Sequence, residues 1–147
     1  MTTRIAVRRV MNAVNLSTPL GLLLAWTGGA RLERGPHGVI VAHGYRSRVP
    51  APRASAVTVG DVVLLRLSPE ELQGRPHLLR HEARHAGQWA WFGGPVGFLP
   101  AYLAASCWSW TRSRDFALRN AFEVRAGLRE GGYLPEQDPP SRCDDPV

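Results

Sequence analysis

From Ala86 to Thr111 the chain carries no charged side chain for 26 residues, and four of its five tryptophans lie in this run. No other feature restricts the fold as strongly. Apolar sequence of that length must be buried in a core or set against a bilayer, because leaving it in water is costly. Gly93-Gly94-Pro95, Gly97 and Pro100 interrupt the run and argue against one continuous helix. The expectation is therefore two shorter core helices, the first ending before Gly93 and the second covering Phe98 to Trp110. Membrane contact is the alternative, peripheral rather than spanning, with Trp89, Trp91, Trp108 and Trp110 as an interfacial aromatic belt.

The run is preceded by His81-Glu82-Ala83-Arg84-His85, an H-E-x-x-H string in a segment that reads as a helix from Pro76 to about Phe92. Residues four apart on a helix project from one face, so both imidazoles can hold one metal ion. Glu82 stands beside them, where a carboxylate can take a proton from a metal-activated water. The bland alternative is a surface helix with two ordinary histidines. His77 extends the stripe by one turn, but three histidines on a straight helix cannot converge on one ion, so His77 is left out of the ligand set.

Around these segments the chain reads as a single α+β domain over residues 1–134, with a Pro- and Asp-rich tail at 135–147 expected to be disordered. Val7, Val10, Met11 and Val14 follow helical spacing, with arginines and asparagines between them, so residues 4–16 should form an amphipathic helix packed on a core, with a membrane-surface helix as the weaker alternative. Ser17-Thr18-Pro19 restarts a second helix that runs to Gly28-Gly29. Arg31–Arg34 and Val39–His43 flank a Gly-Pro-His-Gly turn, and Val57–Val59 and Val62–Leu65 flank Gly60-Asp61. These four extended pieces predict a small antiparallel sheet ahead of the motif helix. Ser47 to Ser55 reads as a loop, Ser68 to Glu71 as a capping box, and a last helix is expected from Ser113 or Asp115 to Gly131-Gly132.

Composition narrows the partners. The net charge is +6, and all 18 basic residues are arginine. The arginines are scattered and no nucleic-acid motif is present, so no specific nucleic-acid partner is expected. Cys107 and Cys143 form neither a disulfide framework nor a cysteine zinc site. Arg4, Arg8 and Arg9 precede an apolar stretch, but Asn12, Asn15 and Pro19 break it, so the reading favours a cytoplasmic or membrane-associated protein over a secreted one.

A catalytic zinc usually has three protein ligands, and a helix farther along supplies a candidate in Asn120-Ala121-Phe122-Glu123-Val124-Arg125-Ala126. Glu123 follows His85 by 38 positions, and Ala126 is small enough to let its helix come close. H-E-x-x-H on one helix with a Glu in an Asn-x-x-Glu-x-x-Ala context on a later one resembles the gluzincin branch of zincin metallopeptidases. The resemblance covers roughly Ala56 to Gly132 and implies a zincin-like core of motif helix, apolar connector and Glu-bearing helix. It implies His81, His85 and Glu123 as zinc ligands, Glu82 as general base, and a peptide or protein substrate.

Two positions depart from the zincin pattern. Arg84 occupies an x position that is usually uncharged, where it either pairs with a carboxylate or marks a degenerate site. Tyr102 and Tyr133 could each hydrogen-bond an oxyanion, but neither is marked by its context, and an ordinary core or surface tyrosine is the expectation for both. The expected activity is zinc-dependent peptide-bond hydrolysis. The alternatives are a catalytically degenerate metal-binding or interaction domain, and a small membrane-associated protein whose histidines are incidental.

Overall fold

A computed structural model describes residues 3–52 and 54–134. The expected tail and Cys143 lie outside the described residues. Two helices open the chain, α1 (Thr3–Val14) and α2 (Ser17–Thr27), followed by strands β1 (Arg31–Arg34), β2 (Ile40–His43), β3 (Ala56–Val59) and β4 (Val62–Leu65). Four helices complete it: α3 (Pro69–Gln73), α4 (Leu78–Trp91), α5 (Pro95–Ser113) and α6 (Ala121–Ala126). The α+β class holds.

The sheet order is β1-β2-β4-β3. The β1–β2 and β3–β4 ladders are antiparallel as expected, but β2 and β4 run parallel, so the sheet is mixed. The cause lies in β4. Val62, Val63, Leu64 and Leu65 are all fully buried, and a strand apolar on both sides belongs in the middle of a sheet. The 44–55 segment carries the chain back across the sheet so that β4 enters between β2 and β3. Arg66 pins this loop by donating to the carbonyls of Ser47 at 2.8 Å and Ala51 at 2.7 Å.

Alternate residues of β4 feed two clusters. Val62 and Leu64 join Ala25, Trp89, Phe98 and Phe122 on one side, while Val63 and Leu65 join Val41, Leu78 and Ala86 on the other. Gly21 is what lets α2 lie this close to the sheet, since a Cβ there would sit 2.4 Å from the Val59 carbonyl oxygen. Burying such side chains is worth on the order of 1.5–3 kcal/mol each.

Helix α1 corrects the expectation of an ordinary core helix. Val7, Val10, Met11 and Val14 are exposed, and the polar side faces inward. Buried Asn12 donates from Nδ2 to the Ala86 carbonyl at 2.9 Å, and Arg8 pairs with buried Asp61 at 2.7 Å. These directed contacts, onto α4 and onto the β3–β4 turn, fix the rotation of α1 together with half-buried Ile5, which lies against Gly38.

The uncharged run is broken at Gly93-Gly94, as its sequence predicts. Its second half is less buried than a core helix, because α5 buries Phe98, Ser106 and Ser109 and exposes Leu103 and Trp108. No helix among the described residues is long and apolar enough to cross a membrane. The last helix is much shorter than expected. Asp115 Oδ1 accepts from the amides of Ala117 and Leu118 in a turn, and α6 starts only at Asn120, whose side chain accepts from the Phe122 amide. It ends at Gly127, whose φ of 99° is open to glycine but strained for other residues.

Candidate metal centre

The H-E-x-x-H string lies in the middle of α4, and His81, Glu82 and His85 are all buried. The three side chains project from α4 toward two partners. His81 and His85 face α6 and meet Glu123, whereas Glu82 turns toward β3.

His81 Nε2 and His85 Nε2 are 3.1 Å apart. Glu123 Oε2 is 3.3 Å from the first and 3.4 Å from the second. The three sequence-predicted ligands thus meet as a buried group that could hold a metal ion. Donors bound to a tetrahedral zinc at about 2.0–2.2 Å lie about 3.3–3.6 Å apart, so this triangle is close to one face of such a site.

The proton inventory makes a cation fit better still. His81 Nδ1 is 3.0 Å from the carbonyl oxygen of Gly127, which can only accept, so His81 donates through Nδ1. His85 Nδ1 is 2.8 Å from Gln88 Oε1. Gln88 spends its own amide on the Phe122 carbonyl at 2.9 Å, which fixes its Oε1 as an acceptor for His85. In the neutral imidazoles both Nε2 atoms are therefore bare lone pairs. They point at each other and at a carboxylate oxygen with no hydrogen-bond partner. Lone pairs without a proton or a cation between them repel, and burial magnifies the cost. Outer contacts that fix the tautomer in this way are typical of metal-binding histidines.

Titration follows the same geometry. Burial acts to raise the Glu123 carboxyl, but the imidazoles of His81 and His85 and the Tyr102 hydroxyl outweigh it and hold Glu123 well below the usual carboxylate range. Burial acts to lower His85, and the neighbouring carboxylates of Glu123 and Glu82 reverse this, leaving it raised. A proton and a metal ion thus compete for the same His85 ring nitrogen. Tyr102 donates to Glu123 Oε1, and burial together with the Glu123 charge raises its hydroxyl, so it remains a donor.

Glu82 lines the same cleft without joining the triangle. Thr58 on β3 donates to its Oε2 at 2.7 Å. Trp89 donates to the Thr58 carbonyl at 2.9 Å, so two contacts fix α4 against β3. The cleft holds about 320 Å³. Its walls are largely apolar, from Leu20 and Leu24 on α2 to Leu99 and Leu103 on α5.

Arg84 has a structural use. It donates to the Ala126 carbonyl at 2.6 Å and forms an ion pair with Glu130, clamping the end of α6 onto α4. Of the alternatives for this residue, the structure gives the carboxylate pair. His77 is exposed at the start of α4, away from the triangle, as expected. Gln88, Thr58 and the Gly127 carbonyl were not legible as parts of the site, and Tyr102, weighed for an oxyanion, instead donates to Glu123. Gln88 lies three residues after His85, on the same helix face, which was the one available signal. Tyr133 lines the cleft with its ring 6.1 Å from that of His81. Gly131 presses on His81 as well, since a Cβ there would lie 2.6 Å from its Cε1.

No family model, curated protein or solved structure matches the chain.

Proposed function

We propose that this protein is a zinc-dependent peptidase in which His81, His85 and Glu123 hold the metal and Glu82 is the general base. The observation that carries the reading is the convergence of three buried lone-pair donors, two of them with their only protons committed elsewhere. Bound there, zinc would lower the pKa of a water and polarise a carbonyl.

The chain's own residues supply the rest. Gln88 and the Gly127 carbonyl orient the imidazoles, and Tyr102 orients the Glu123 carboxylate. Thr58 holds the Glu82 carboxylate in the cleft, where it can accept a proton from the attacking water and return it to the leaving amine. A carboxyl side chain at this position, beside but outside the ligand triangle, favours hydrolysis over a purely structural metal site. The apolar lining of the cleft suits a substrate segment with apolar side chains.

Glu82→Gln tests the reading. It keeps the shape and the Thr58 contact but removes the base, so bound zinc should stay stoichiometric while cleavage of a denatured-protein substrate falls about 10²–10⁴-fold. Unchanged cleavage in this variant would overturn the role of Glu82. Absence of any chelator-sensitive cleavage by the wild-type protein would remove the peptidase reading and leave a metal-binding domain.

A further inference from the structure

The outer side of α1 is inverted with respect to a helix of a water-soluble domain. Its polar residues Arg8 and Asn12 face the protein, and Val7, Val10 and Val14 face out, the last 78% exposed. The stripe does not end with the helix. The α1–α2 turn rests on the α4–α5 turn, where a Cβ on Gly94 would lie 2.7 Å from the Asn15 carbonyl oxygen, and Asn15 Nδ2 donates to the Trp89 carbonyl at 3.4 Å. At this junction of turns Leu16, which follows Asn15, is exposed, as are Trp91 (84%) and Val96 (87%) on either side of Gly93-Gly94-Pro95. Val96 opens a face of α5 that continues at i+3 and i+7 through Leu99 and Leu103, both partly bare and both walls of the cleft.

We propose that this continuous face docks peripherally on a bilayer rich in anionic lipid, with α1 and the start of α5 lying in the interface and the cleft mouth opening onto it. Three observations choose a lipid surface over a second copy of the chain. A helix that buries its polar side and bares its aliphatic side matches a lipid environment, whereas a solvated helix does the reverse. An exposed tryptophan, Trp91, accompanies the face, and indole side chains favour the headgroup level. The charge is complementary to an anionic surface: net +6, with exposed Arg4 at the edge of the α1 stripe. No helix crosses the membrane in this arrangement. The inference does not rest on the metal, so its test can fail or succeed independently of the peptidase reading.

The test is co-sedimentation of the full chain with vesicles of phosphatidylcholine containing 30% (about one lipid in three) phosphatidylglycerol, beside vesicles of phosphatidylcholine alone. Binding should favour the anionic vesicles, weaken with salt, and shift tryptophan emission to the blue. Trp91→Ser with Val96→Ser removes two bare side chains that lie outside the cleft walls, and should weaken partitioning about tenfold or more with thermal stability unchanged. A third variant, Leu128→Ser, alters an apolar residue away from this face and should bind as the wild type does. Failure of the wild-type chain to bind anionic vesicles would overturn the proposal. So would unchanged binding of the double variant, or a concentration-dependent dimer that the double variant abolishes.

Discussion

Helices α1 and α4 both turn polar side chains into the protein, yet they leave opposite needs unmet. In α1, Asn12 Nδ2 and Arg8 find partners in the Ala86 carbonyl and Asp61, and what remains uncovered is an aliphatic stripe on the outside. In α4 the apolar residues Leu78, Ala86 and Trp89 are covered, and what remains is a knot of lone pairs on the inside, shared with Glu123. Two buried side-chain atoms lack a partner among the described residues, Asn12 Oδ1 and Glu123 Oε2. The first is isolated, whereas the second faces two further donors within 3.4 Å. Convergence, rather than burial alone, separates a structural polar anchor from a ligand site.

The contrast can be broken from the α4 side first. Gln88→Ala frees the His85 tautomer without touching a ligand, and should weaken zinc binding about 10–100-fold in a competition titration with a chelating dye. Wild-type affinity in that variant would mean that the tautomer argument is wrong. On the α1 side, Asn12→Ala removes an anchor and should cost about 1–3 kcal/mol in chemical denaturation while leaving zinc affinity unchanged. Val10→Ser, two residues away on the outward stripe, should change stability by less than about 0.5 kcal/mol. If Val10→Ser proves the costlier of the two, α1 packs the other way round.

A pH series sharpens the α4 side. His85 in the metal-free fold is raised above its ordinary value of 6.5. Its imidazolium therefore contributes stability that is complete below pH 6.5 and is lost as pH climbs through the raised folded value. Zinc requires the unprotonated ring, so its stabilisation grows over the same window. The thermal midpoints of metal-free and zinc-loaded protein should diverge as pH rises above 6.5, and parallel curves would contradict a shared proton and metal site.

Much of this was legible in the sequence because it depends on local periodicity. The helical H-E-x-x-H spacing, the strand pieces around Gly60-Asp61 and the Ser68–Glu71 capping box all form where the pattern places them. Glu123 was legible because Asn120 and Ala126 frame it, and both have physical jobs: Asn120 caps α6 and donates to Ser106 Oγ at 2.9 Å, and Ala126 is fully buried. The parallel β2–β4 ladder was not legible, since it depends on a loop returning across the sheet. Nor was the rotation of α1. Its amphipathic period is real, but period alone does not say which side meets the protein, and here Asn12 and Arg8 decide it. Tyr102 and Thr58 join the site through contacts 21 and 24 residues away in sequence, for which spacing offers no rule, and Gln88, three residues after His85, has its amide set by the Phe122 carbonyl 34 residues on.

The central claim is that the three converging donors hold one metal ion. Its most direct test is anomalous diffraction at the zinc edge from crystals grown with equimolar zinc. The account predicts one ion bonded to His81 Nε2, His85 Nε2 and a Glu123 carboxylate oxygen at about 2.0–2.2 Å. Crystals with no anomalous peak in the triangle, or with zinc held by other residues, would contradict it.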